Sequence, residues 1–152
     1  MSLALFWVVL CAPGCQSDAD GEALFRAGRF DGAHDSLARA ADEGDARALL
    51  CLGVMYQLGL GVSRDPAHAA SWYERGALAG DRAAQFNLGL LYLNGEGVTR
   101  NHEAAFGWLQ ASMERGHTRA QHYLAMLTDK LTPNQMVRAR EAVRKRVRDE
   151  VR

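Results

Sequence analysis

The sequence predicts an all-α protein, an α-solenoid of about four antiparallel helical hairpins, and three observations predict it. Apolar residues recur at spacings of three and four, the helical period, and no alternating strand pattern competes. Glycines and capping residues punctuate the chain at the intervals of short helix-turn-helix units. The window 46–81 aligns without a gap on the window 82–117, a period of about 36 residues. Identical pairs at that offset are Ala48 and Ala84, Leu52 and Leu88, Gly53 and Gly89, Tyr56 and Tyr92, Gly59 and Gly95, and Gly61 and Gly97. Val62 and Val98, Arg64 and Arg100, Ala69 and Ala105, Trp72 and Trp108, and Gly80 and Gly116 complete the set.

The first segment, 1–14, differs from the rest. Leu3 to Ala12 is an uncharged apolar run with the length of a secretory h-region, far short of the roughly 20 residues that a membrane-spanning helix needs. It reads as a signal peptide. Ala12, Pro13, Gly14 and Cys15 resemble a bacterial lipobox, which implies lipidation at Cys15 and a place in the cell envelope, anchored in the outer membrane or periplasmic. Ordinary export and an uncleaved apolar tail are the alternatives. Residues 15–21 are expected to be a short linker. Loss of Cys11 and acylation of Cys15 leave Cys51 as the one thiol of the folded body, which excludes an internal disulfide framework. Cys51 itself reads as a small buried hydrophobe.

Residues 22–45 form a short-looped hairpin, with Leu24 and Phe25 in one helix and Ala33, Leu37 and Ala40 in the next. In 46–81, Ala48, Leu52 and Tyr56 recur every four positions and define one buried helical face. Gly53 lies beside that stripe, where glycine weakens a helix by about 1 kcal/mol against alanine and so calls for a close approach of another element. Gly59 ends the helix, Gly61 turns the loop, and Asp65 with Pro66 caps and opens the second helix. Ala69 and Trp72 face back on the first helix until Gly80 closes the unit. The same roles fall in 82–117 to Leu88, Gly89, Tyr92, Gly95, Gly97, Asn101, Trp108 and Gly116. In 118–152, Ala120 and Leu124 continue the register from Thr118 to Thr128. Thr132 and Pro133 then open a helix with Met136, Ala139, Val143, Val147 and Val151 on one face and basic residues on the other, as suits a capping helix.

The elements LGxxY, GxGV and AxxW, followed by a glycine eight residues after the tryptophan, resemble the Sel1-like branch of the tetratricopeptide repeats over 46–117. The segment 22–45 resembles an ordinary tetratricopeptide unit. The resemblance implies a module that binds a protein or peptide on a concave surface lined by the first helix of each unit. Transferred through the LGxxY register, the groove positions are Arg47, Leu50, Val54 and Gln57, then Phe86, Leu90, Leu93 and Asn94, then Arg119, His122 and Met126. Phe86 and Leu90 are the expected anchors.

Chemistry-bearing motifs do not compete with that reading. No serine elbow, HExxH or GxxxxGK[ST] is present, and the glycine-rich turns recur at equal places in two repeats, which marks them as turns and not phosphate cradles. None of His34, His68, His102, His117 and His122 forms an i, i+4 pair, so no metal and no cofactor are expected. Eighteen basic residues balance eighteen acidic ones, against a dedicated nucleic-acid binder. The local excess at Arg138, Arg140, Arg144, Lys145, Arg146 and Arg148 lacks interleaved aromatics and reads as a solvated capping face. The function expected is therefore non-catalytic: a monomeric, lipid-anchored, periplasm-facing adaptor. The alternatives are an immunity-like inhibitor of a toxin, a β-lactamase-like enzyme, against which the missing cysteine pairs and nucleophile count, and a cytoplasmic signalling scaffold.

Overall fold

The computed structural model describes residues 19–150, and among them every regular element is a helix. The order is α1 (Ala19–Arg26), α2 (Phe30–Asp42), α3 (Ala46–Leu58), α4 (Pro66–Leu78), α5 (Arg82–Asn94), α6 (His102–Glu114), α7 (Ala120–Thr128) and α8 (Pro133–Glu150). None of them is long and apolar enough to cross a membrane. The signal segment, Cys15, Val151 and Arg152 lie outside the described residues.

The helices start where side chains can take up free backbone N–H groups. Asp45 accepts from Arg47 N at 2.7 Å and Ala48 N at 3.1 Å, Asp65 from His68 N at 3.0 Å, Asp81 from Ala84 N at 2.7 Å and Asn101 from Ala104 N at 3.0 Å. At α8 the cap is reciprocal. Gln135 N donates to Thr132 Oγ1 at 3.3 Å, and Thr132 N donates to Gln135 Oε1 at 2.9 Å. The first helix of each repeat ends on a left-handed glycine, Gly59 with φ 72° and Gly95 with φ 70°.

The close approach anticipated at Gly53 is the ring of Tyr73, which a Cβ there would strike; at Gly89 the equivalent neighbour is Leu109 Cγ, 2.7 Å from where the Cβ would lie. Glycine thus lets α4 lie on α3, and α6 on α5. Each second helix also touches the next first helix, so Ala69, Tyr73 and Ala77 of α4 share one core with Ala84, Leu88 and Leu91 of α5 and Trp108 of α6.

Two expectations need correction. Part of the 15–21 linker is helical, because α1 begins at Ala19 and Gly21 lies directly on α2, where a Cβ would be 3.0 Å from Leu37 N. The last unit is not a hairpin like the others. The main neighbour of α8 is α6, with a smaller contact on α4. Ala139 and Val143 lie against Gly107, where a Cβ would be 2.6 Å from Ala139 O. Gln135 donates to Glu103 at 2.8 Å, Arg138 pairs with Glu103 at 3.5 Å, Arg144 with Glu114 at 3.1 Å, and Arg146 with Glu74 of α4. Three arginines of this basic face are therefore ion-paired across helices while remaining exposed to solvent. Thr118 and Arg119 precede α7, which starts at Ala120.

Candidate functional site

The residues transferred to the groove sit on α3 and α5 and at or beside α7, and the structure sorts them by access. Arg47 is exposed and ion-paired with Glu22 of α1 at 3.1 Å. Leu50 and Val54 are half-buried, their inner parts packed on the core shared by α4 and α5. Gln57 is half-buried and accepts a hydrogen bond from Tyr73 Oη at 2.8 Å, which supplies that phenol with a partner and holds Gln57 in place. Burial, with a smaller effect of the Glu96 carboxylate, raises the Tyr73 pKa despite a bond from Asn87 that acts the other way, so the phenol stays neutral.

Phe86 is overturned as an available anchor. It is only 7% exposed, stacked on the imidazole of His117 at 4.2 Å between ring centroids and met edge-on by Tyr123 at 5.6 Å. The ring fills the junction between α5 and α7 and has no face left for a partner. Leu90 and Leu93 are half-buried, whereas Asn94, Arg119, His122 and Met126 are exposed, Met126 by 45%. The accessible apolar series is thus Leu50, Val54, Leu90, Leu93 and Met126. Leu58, 61% exposed at the end of α3, joins it without having been expected. Its signal was available, since Leu58 stands where the next repeat has Asn94.

His34, His68, His117 and His122 are each spent on ring contacts. His34 Nε2 lies 3.2 Å from Tyr56 Oη, His68 stacks between Tyr56 and Trp72, and His122 meets Tyr123 edge-on. Among the described residues no group of three or more His, Cys, Asp or Glu side chains is placed to hold a metal ion.

The Sel1 repeat family model matches residues 44–81 and 82–117. Over these residues the chain is similar to two Sel1 repeats. Its fold is similar to the crystal structure of a Sel1 repeat protein from Oxalobacter formigenes, with a TM-score of 0.71 and 31% identity over 75% of this chain. It is similar too to a protective antigen present in uropathogenic Escherichia coli strains and displaying an SLR fold, with a TM-score of 0.77 and 28% identity over 86% of this chain. The alignments span 47% of the first protein and 29% of the second, so the chain covers less than half the length of either. No curated protein matches it. The Sel1-like repeats and the helices flanking them form an α-solenoid of stacked helical hairpins.

Proposed function

We propose that this chain is a Sel1 repeat protein and a non-catalytic adaptor that holds a protein or peptide against the free face of α3, α5 and α7. The observation that carries the reading is the accessible apolar series on these first helices. Leu50, Val54, Leu90, Leu93 and Met126 keep apolar surface in water, although the repeat requires only their opposite faces to be buried. Half-buried side chains with packed bases suit anchoring, because they lose little rotamer freedom when a partner covers them. We place the adaptor in the bacterial envelope, lipid-anchored through Cys15 and facing the periplasm, on the apolar run Leu3–Ala12 and the small residues before that cysteine.

The test is a binding titration of a partner captured from native membranes against Leu90→Ala, Met126→Ala and a double Arg144→Ala, Arg146→Ala variant, each checked for helical content. Truncating the central anchor Leu90 should weaken binding by about 2 kcal/mol, whereas the arginine pair should act on stability through α6 and α4 and leave affinity nearly unchanged. Loss of affinity in the arginine variant alone would reject the first-helix surface. Mass measurement of the native protein should find residues 1–14 removed and Cys15 acylated, and an intact Met1 in membrane-free extract would reject the placement.

A further inference from the structure

We propose that the wedge between α6 and α8 is a second binding site, which takes the free carboxylate end of an apolar peptide. α6 and α8 are closest at Gly107, against Ala139 and Val143. Beyond that point they enclose a cleft of about 600 Å³ lined by Ala111 of α6 and by Val143 and Val147 of α8. That volume lies within the range of small-ligand sites. It is ample for one or two apolar side chains.

The floor is Gln85 of α5, which is fully buried. Its Nε2 donates to Ala77 O at 3.0 Å, and its Oε1 has no hydrogen-bond partner among the described residues. The repeat does not require a polar residue here, because the equivalent position in the preceding repeat is the buried Leu49. A buried acceptor without a donor is unfavourable, and a ligand N–H that displaces the side chains covering Gln85 would supply one.

The rim adds a charge requirement. Arg115, Arg144 and Arg148 surround the cleft with one carboxylate, Glu114, which pairs with Arg144 at 3.1 Å and accepts from Gln110 at 3.1 Å. Arg115 and Arg148 have no carboxylate partner among the described residues. Two unneutralised guanidinium groups over apolar walls favour an anion with an apolar body, and guanidinium matches carboxylate geometry. A peptide ending in leucine or valine meets all three conditions. Its side chains cover Ala111, Val143 and Val147, its amide N–H faces Gln85, and its terminal carboxylate faces Arg115 and Arg148. A fatty carboxylate lacks the N–H, and an inorganic anion lacks the apolar body.

The probes are N-acetyl-Ala-Leu-Val-Leu as the free acid, the same peptide as its C-terminal amide, and decanoate, each titrated calorimetrically into the full chain. The free acid should bind saturably at one site, with the amide weaker by about tenfold, the loss expected for one charge-assisted contact. A double Arg115→Gln, Arg148→Gln variant should bind the acid no better than the amide. Val147→Trp should fill the wedge and abolish both, and if that variant fails to fold, the arginine variant alone decides. Leu90→Ala, on the first-helix surface, should change nothing. The proposal falls if the acid does not saturate, if acid and amide bind equally, if decanoate binds as tightly as the acid, or if Leu90→Ala removes binding.

Discussion

Two side chains illustrate how burial fixes chemistry at the scale of single residues. Cys51 lies inside the core formed by α2 and α3, 8% exposed, and burial, reinforced by the Glu22 carboxylate, pushes its thiol up to about 11. The thiolate is the nucleophile, so Cys51 should resist iodoacetamide at pH 8 in the folded protein and react once denaturant opens the core. Measured in a Cys11→Ser, Cys15→Ser background, rapid modification without denaturant would contradict this burial. His117 behaves in the opposite sense. Desolvation, then the Arg82 charge, lower its pKa from the ordinary 6.5, and its Nδ1, beside the Phe86 ring, is buried with no hydrogen-bond partner among the described residues. The folded state therefore holds the proton less well than the unfolded chain, and stability present above about pH 6.5 is lost as pH falls toward the lowered value. Thermal midpoints should drop between pH 7.5 and 5.5, and His117→Gln should flatten that dependence; an unchanged slope would place the pH sensitivity elsewhere.

Whole elements show what the sequence made legible and why it stopped. Glycine conformations, N-caps and the four-residue stripes are local or repeat at a fixed offset, so Gly59, Asp65, Asn101 and Leu88 could be placed from spacing alone. Phe86 could not, because its burial depends on His117 at the very end of its own repeat and on Tyr123 from the next unit, where the repeat signature has faded. The course of α8 was hidden for a similar reason: an apolar stripe states that a face is buried and not against which helix. One sign was present in Gly107, which replaces Ser71 of the preceding repeat. Ser71 is exposed, whereas Gly107 is buried beneath Ala139 and Val143. A sign test follows. Gly107→Ala gains about 1 kcal/mol of helix propensity, but its Cβ would lie 2.6 Å from Ala139 O and force α8 away, an overpacking of about 1–3 kcal/mol. Net destabilisation with a red shift of the Trp108 emission is expected, and Ser71→Ala should be nearly neutral. A stabilised Gly107→Ala would mean that α8 does not rest there.

Across the whole molecule, stability in a solenoid is a sum of unit and interface terms, and units can unfold separately where interfaces are weak. Here the middle interfaces are strong. Tyr73 and Ala77 from one repeat, Leu88, Leu91 and Trp108 from the next and Val143 from α8 lie in a single buried cluster, so neither repeat can open without exposing part of the other. Leu52 and Leu88 are both almost fully buried, at 0% and 1% exposure, and truncation of either to alanine should cost about 2–5 kcal/mol. The two tryptophans of the repeats report on different units. Trp72 is half-buried under Arg75, whereas Trp108 is fully buried and covered by Arg146. In Trp72→Phe and Trp108→Phe variants, each also carrying Trp7→Phe, the remaining indole follows one repeat through a urea titration. Adding Leu52→Ala should lower the midpoint at Trp108 as much as at Trp72, even though Leu52 belongs to the core of the first repeat. A shift at Trp72 alone would show that the interface between α4 and α5 is too weak to couple the repeats, and that the first-helix surface is assembled from units able to open one at a time.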